Sequence, residues 1–350
     1  MRIAARLLSY FWLLLAVYVL TVGWNTYHVS SKPILGPLIS TEAYIIAEQL
    51  QTTITATHAK RAQALLLDST TNKVVASVTC RSVALGGGCG EDWSFLSDRW
   101  EPGSAFKPIL VATMVDSGHI KTTSTFSDKG YVMADGYRID NHEGNVPTHY
   151  NIEQFLGTSR NTGAIMILKT SEESSSPTDI WHATLQRVIA GQGYTPNFKH
   201  LRDQQYRFYE SSFGVGLTIT PLRLAQLYNS FQSNGQVCDQ NAKCAQFIKP
   251  ATAQYMQQLL QHVAIDYAGV KSDNPHCVYG GKSGTALVAQ STGTYQEDVN
   301  DGTYVGMIAN TIAKKNELLL IRLDAPNDAL ASRPARLSWI PIANKLCQNL

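Results

Sequence analysis

Three short segments of this chain carry residues suited to nucleophilic catalysis: Ser104-Ala105-Phe106-Lys107, Ser159-Arg160-Asn161 and Lys282-Ser283-Gly284-Thr285. A serine hydroxyl is a weak nucleophile at neutral pH and needs a base beside it. Lys107 stands three residues after Ser104, so if Ser104 opens a helix the two side chains share one face a turn apart. A lysine with an ordinary pKa of about 10.4 is less than ~0.1% neutral at pH 7, so it can act as a base only if that pKa falls. Burial and a second nearby cation both lower it, and Lys282 is the candidate cation. One lysine would then exchange a proton with Ser104 while the other stays charged and holds a substrate carboxylate. Ser159 would relay a proton to the leaving group, and Asn161 would hydrogen-bond a substrate amide.

Taken singly, each segment also has a plain structural reading. Ser104 and Lys107 fit a solvated helix start, Ser159 and Asn161 fit a helix cap or turn, and Lys282 to Thr285 fits the start of a strand. Together they are far more specific. No other serine in the chain has a lysine three residues later, and the ordered trio is the known mark of penicillin-binding proteins and serine beta-lactamases.

The elements that must position these residues can be read from pattern. Pro102-Gly103 break the preceding structure, Pro108 suits only a first turn, and Ile109, Leu110, Thr113 and Met114 follow at helical spacing, with Gly118 as the stop. Such a helix would aim its N-terminal amides at charge developing on Ser104. A helix is expected after Ser40, with Ala43, Ile46, Ala47, Leu50 and Ile54 as its core stripe. Ala62 to Leu67 and Val74 to Thr79 form a predicted hairpin. Residues 171–178 are predicted to be an exposed loop. Further strands are expected at Lys282 to Val288, Tyr304 to Ala309 and Leu318 to Leu323, then a C-terminal helical region interrupted at Pro341. This pattern supports a mixed α/β domain.

The chain resembles the transpeptidase domain of class B penicillin-binding proteins. Arg99-Trp100-Glu101-Pro102-Gly103-Ser104-Ala105-Phe106-Lys107-Pro108 is similar to the family's Glu-Pro-Gly-Ser-x-x-Lys-Pro signature, and Ser159-Arg160-Asn161-Thr162-Gly163 to its Ser-x-Asn segment. Phe213 to Leu222 is similar to its Gly-x-Gly-x-x-x-Thr-Pro stretch, in which Thr220 and Pro221 also read as a helix cap and first helical residue. Gly280 to Ala286 resembles the strand lining the site, with Ser283 in place of the usual threonine. The resemblance implies an antiparallel sheet flanked by helices plus an all-helical subdomain. It further implies that Ser104 attacks a D-Ala-D-Ala stem peptide, that the amides of Ser104 and Thr285 form an oxyanion hole, and that the Ser283 and Thr285 hydroxyls join Lys282 on the substrate carboxylate, with Gly284 between them. Its implied ligands are peptidoglycan stem peptides and beta-lactams, and its implied partner is a membrane glycosyltransferase.

Location and composition fit that chemistry. Leu7 to Trp24 is an uncharged, mostly apolar run of 18 residues after Arg2 and Arg6. As a helix it would be about 27 Å long against a hydrocarbon core of about 30 Å. With no convincing small-x-small cleavage site after it, the expectation is an uncleaved inner-membrane anchor, N-terminus cytoplasmic and catalytic domain periplasmic. The expected organisation is 1–24 for the N-terminus and anchor, 25–60 for a short linker and helix, and 61–350 for the transpeptidase domain; residues 25–60 are too few for the family's usual pedestal.

Six cysteines permit 15 complete pairings; spacing favours Cys80 with Cys89 and Cys238 with Cys244, leaving Cys277 with Cys347. Disulfides suit an oxidising periplasm. No Cys-x-x-Cys or His-Glu-x-x-His occurs, so no metal or other cofactor is expected. Of the 29 basic residues, removing Arg2 and Arg6 leaves 27 against 27 acidic ones. A neutral domain with no basic stripe excludes nucleic acid as a partner. Two alternatives stay open: a DD-carboxypeptidase or beta-lactamase, in which water releases the acyl group, and a non-catalytic scaffold or sensor. The absence of a Glu-x-x-Leu-Asn segment after Ser159, and Arg160 in place of aspartate, weigh against fast deacylation.

Overall fold

A computed structural model describes residues 35–142, 144, 148–170, 177–189, 204–289, 295–328 and 330–348. The predicted anchor at Leu7 to Trp24, and the linker as far as residue 34, lie outside the described residues. Within them no helix is long and apolar enough to cross a membrane.

Helix α1 spans Thr41–Thr57, its first turn capped by the Ser40 hydroxyl, which accepts from the Ala43 amide at 3.0 Å. Its predicted stripe of Ala43, Ile46, Ala47, Leu50 and Ile54 is buried. Strands β1 (Arg61–Asp68) and β2 (Val74–Arg81) form the expected antiparallel hairpin. With β3 (Cys89–Glu91), β10 (Cys277–Ala289), β11 (Tyr295–Asn310) and β12 (Lys315–Asp324) they make one antiparallel sheet, ordered β10-β11-β12-β1-β2-β3.

Alternation with period two divides the sheet's side chains between two cores. Leu66, Leu319, Ile321, Tyr304 and Ile308 pack on one face against α1 and the C-terminal helix, while Leu65, Leu67, Leu318, Leu320, Val305 and Met307 face the rest of the helices. Because α1 packs on this sheet, the compact unit runs Gly36–Leu350 and takes in residues that pattern alone assigns to a linker and helix. The described end of that linker is itself pinned to β3, where Gly36 and Glu91 exchange backbone hydrogen bonds of 2.8 and 3.0 Å.

The second core is covered by a lobe that is largely helical but not the all-helical subdomain expected, because three short strand pairs are set among its helices. A 3-10 turn at Gly103–Phe106 leads into α2 (Lys107–Asp116). Two small pairs follow, β4 (Thr125–Asp128) with β7 (Thr148–Asn151) and β5 (Tyr131–Ala134) with β6 (Tyr137–Asp140). Next come α3 (Ile152–Thr158), α4 (Asn161–Lys169), α5 (Pro177–Ile189), α6 (Gln205–Ser211) and α7 (Pro221–Asn229). The pair β8 (Gln236–Cys238) and β9 (Cys244–Gln246) and helix α8 (Pro250–His262) lead back to the sheet. Disulfides join Cys80 to Cys89, Cys238 to Cys244 and Cys277 to Cys347, the pairing that spacing favours.

Three local expectations change. Of residues 171–178, only Pro177 and Thr178 are described, and they begin α5 and not a loop, proline being well suited to a first helical turn. The three predicted sheet strands are all longer than their apolar segments, β11 by nine residues at its polar N-terminal side. Finally, α9 (Ser332–Gln348) runs unbroken through Pro341. Proline removes one amide from the helix ladder, and the carbonyl this leaves belongs to exposed Leu337. On the other side, Trp339, Ile342, Ala343 and Leu346 are buried in the sheet core, and that packing outweighs the lost bond.

Trp339 is the largest contributor. Its ring meets Tyr279 and Tyr304 edge-on at 5.2 and 5.3 Å between centroids, and its Nε1 donates to the Leu319 carbonyl at 2.8 Å. Trp339→Ala is expected to lower the unfolding free energy by about 3–5 kcal/mol, read from urea denaturation with the disulfides intact. A loss under about 1 kcal/mol would contradict this account of the outer core.

Candidate active site

The site forms where the 3-10 turn carrying Ser104 lies against β10. Backbone meets backbone here: a Cβ on Gly284 would come within 2.4 Å of the Pro102 carbonyl oxygen, and one on Gly103 within 2.3 Å of the Thr285 carbonyl oxygen. Gly103 also adopts φ 53°, a left-handed conformation that glycine takes at no steric cost. Its amide donates to the Gly214 carbonyl at 3.1 Å. On the other side, Tyr228 of α7 donates to the Ala105 carbonyl at 2.6 Å. Just upstream, Trp100 donates through Nε1 to Thr303 Oγ1 at 3.2 Å and exchanges backbone bonds with Ile219. Arg322, held between Asp301 at 2.8 Å and Asp324 at 3.1 Å, lies over the Trp100 ring.

Ser104 sits in the 3-10 turn and not in the first turn of α2, which begins at Lys107. The change favours contact, because residues three apart eclipse in a 3-10 turn. Lys107 Nζ is 2.9 Å from Ser104 Oγ. The same amine donates to Asn161 Oδ1 at 3.0 Å and to the Ser159 carbonyl, and lies 3.4 Å from Ser159 Oγ. From the opposite side Lys282 Nζ reaches Ser159 Oγ at 2.9 Å and the Ser283 carbonyl at 3.0 Å. Thus Ser104, Lys107, Ser159, Asn161 and Lys282 converge, and Ser159 Oγ lies between two amines.

Burial decides the electrostatics. Lys107 is 0% exposed and Lys282 3%, while Ser104 and Ser159 remain partly open. Desolvation, and then the Lys282 ammonium, hold the Lys107 amine well below its ordinary value of 10.5. Phe213 adds to the dry wall, its ring centroid 5.9 Å from Lys107 Nζ.

The structure places the remaining predicted residues on β10. Ser283 and Thr285 are half-buried, and Gly284 is buried against the Ser104 turn. The Thr285 hydroxyl accepts from the Ser332 amide at 3.3 Å, which leaves its own proton to donate. Phe213 was visible only inside the Phe213 to Leu222 motif, without a role. Tyr228 gave no signal, since its spacing from Leu224 reads as core. Asp128, whose carboxylate pairs with Arg160, reads from sequence as part of a turn before Gly130.

The family model for the penicillin binding protein transpeptidase domain matches residues 62–335. The chain belongs to that family. A peptidoglycan D,D-transpeptidase FtsI homolog of Chlorokybus atmophyticus is 32% identical over 162 residues, covering 40% of this chain and 23% of that protein. The corresponding FtsI homolog of Mesostigma viride is 25% identical over 294 residues, covering 68% of this chain and 48% of that protein. This penicillin-binding protein chain therefore spans about half or less of the length of these curated relatives. Among solved structures, the transpeptidase domain of penicillin-binding protein 3 from Burkholderia pseudomallei superposes with a TM-score of 0.72 at 19% identity, covering 91% of this chain and 97% of that one. Penicillin-binding protein 3 from Mycobacterium tuberculosis gives 0.71 at 19% identity, covering 88% and 77%. At such identities the likeness is one of fold, and it is the mixed α/β fold expected from the sequence.

If Lys282 depresses the Lys107 titration, its removal must release it. Lys282→Met is expected to move the Lys107 midpoint upward toward 10.5, followed by NMR of lysine labelled at the side-chain carbon next to Nζ. An unchanged midpoint would assign the whole depression to burial.

Proposed function

We propose that this chain is the catalytic part of a membrane-anchored peptidoglycan D,D-transpeptidase acting through an acyl-enzyme at Ser104. The observation that carries the reading is the convergence of two buried lysines on one serine, Ser159, with Lys107 Nζ also 2.9 Å from Ser104 Oγ. We assign the two amines different work. Lys107, held neutral, takes the Ser104 proton as Oγ attacks the carbonyl carbon of the penultimate D-Ala of a stem peptide. The new Oγ–C bond forms, and the peptide C–N bond to the terminal D-Ala breaks. Ser159 passes a proton to the departing amine, which leaves as D-Ala. The amides of Ser104 and Thr285 bind the oxyanion, Asn161 holds the donor's amide, and Lys282 with Ser283 and Thr285 holds its terminal carboxylate. An amine of a neighbouring stem peptide then displaces Ser104 and completes the crosslink.

Support comes from the family membership and from relatives named as D,D-transpeptidases. Mycobacterium tuberculosis penicillin-binding protein 3 has been solved with aztreonam and with ampicillin, and we extend beta-lactam acylation to Ser104 of this chain. The periplasmic placement rests on the Leu7 to Trp24 run and on three disulfides that suit an oxidising compartment. A membrane glycosyltransferase is the partner we propose, on the family membership and the apolar Leu7 to Trp24 run.

Intact mass after exposure to a penicillin tests the reading. The wild-type chain is expected to gain one stable adduct, and Ser104→Ala none. A transient adduct with drug consumption would make the protein a hydrolase, and no adduct on the folded wild-type chain would contradict the acyl-enzyme.

A further inference from the structure

Ser159 presents both its carbonyl and its hydroxyl to the lysines from a backbone at φ 57°, the left-handed region that is uncommon outside glycine. Such a conformation persists where the surroundings over-determine it. Ser159 closes α3 and Asn161 opens α4, so the three residues at one helix junction carry both side chains of the second segment.

What holds that turn lies behind it. Asp128 ends β4 with a fully buried side chain, and Arg160 reaches its two carboxylate oxygens through Nε at 3.2 Å and a terminal nitrogen at 3.1 Å. The Thr162 hydroxyl donates to the same carboxylate at 3.0 Å and accepts from Asn141 Nδ2 at 2.8 Å, while the Thr162 amide donates to Asn141 Oδ1 at 3.0 Å. The Gly130 amide donates to Asp128 at 2.6 Å, and Asn141 Nδ2 donates to the Gly130 carbonyl at 3.1 Å. Asn161 itself is tied from outside, its Nδ2 donating to the Asp140 carbonyl at 3.2 Å while its Oδ1 faces Lys107. A buried carboxylate is costly unless fully paired, and burial alone would raise the Asp128 pKa. Arg160 first, then the neighbouring Tyr150 hydroxyl, the Gly130 amide and Thr162 outweigh it and hold the carboxyl below its ordinary value. Residues 160 and 162 are thus clamped on one carboxylate, with Asn161 between them and Ser159 immediately before.

We propose that Asp128, acting with Asn141, is a positioning residue for acylation: it fixes the left-handed turn that delivers Ser159 and Asn161 to the two lysines. It touches neither Ser104 nor a lysine among the contacts described, and acts through Arg160 and Thr162. This rests on the acyl-enzyme reading above. It also gives Arg160 a role, which from sequence served only to argue against a beta-lactamase.

The test separates binding from chemistry. Acylation by a fluorescent penicillin, followed by stopped flow over a range of drug concentrations, yields the dissociation constant and the acylation rate constant separately. Titrating active sites corrects for any unfolded fraction. Asp128→Asn keeps the shape and removes the charge; Thr162→Val removes the hydroxyl bridge with little change in shape, and Thr162→Ser restores it. Both Asp128→Asn and Thr162→Val are expected to lower the rate constant at least tenfold with the dissociation constant within threefold of wild type, and Thr162→Ser to recover it. Variants that show fewer titratable sites but an unchanged rate constant would reduce the network to a folding role and overturn the proposal, as would equal slowing in Thr162→Ser and Thr162→Val. A wild-type protein that takes no label would overturn the acyl-enzyme reading and this proposal with it.

Discussion

Burying a lysine amine beside a second lysine is the constraint on which the rest of this structure depends. Removing an ammonium from water costs several kcal/mol after relaxation, and a neighbouring like charge adds to the cost. Burial and then the Lys282 charge hold the Lys107 amine well below its ordinary pKa, which is the direction the base proposed for Ser104 requires. The Ser159 carbonyl and Asn161 Oδ1 then accept its N–H groups, so the site is desolvated without being left unsatisfied. Lys282 stays beside it with its own oxygen partners, Ser159 Oγ and the Ser283 carbonyl.

The sheet and lobe bring those two amines to one serine, Ser159. Lys282 comes from β10, a sheet-edge strand, and Lys107 from the first residue of α2. Both meet at Ser159 where the Ser104 turn lies directly against β10, and glycine at 103 and 284 permits that contact. Trp339 serves the same end from the opposite face, packing α9 onto Tyr279 and Tyr304, the β10 and β11 residues next to the site-bearing segment. Tyr304 pairs directly across from Ser283. Stability of the outer core and geometry of the site are therefore linked through two adjacent strands.

Much of this could be read from the chain. The α1 stripe, the β1–β2 hairpin, the Thr220-Pro221 helix start and the Gly118 stop follow local rules of spacing, capping and turn formation, and the structure contains each of them. Gly118, at φ 78°, donates to the Val115 carbonyl just past the end of α2. The five converging side chains were legible because their types and order match a chemical requirement, although only folding could bring residues 104, 159 and 282 together. What stayed hidden was non-local. Pro341 reads as a break because the packing of Trp339 and Ile342 against the sheet is invisible in local sequence. The polar beginning of β11 reads as loop because ladder hydrogen bonds with β10 leave no mark on side-chain type. Asp128 and Tyr228 look like a turn residue and a core aromatic, and nothing in their neighbours reveals that one grips the Ser159 turn and the other the Ser104 turn.

The pH dependence of the acylation rate constant of the wild-type protein tests the central claim most directly. If Lys107 is the base and is depressed by burial and by Lys282, the rate rises with pH along a limb centred well below 10.5 and levels off before that value is reached. A rate that stays low through neutrality and climbs only as pH approaches 10.5 would mean that Lys107 titrates as an ordinary lysine, and the account of the site would fail.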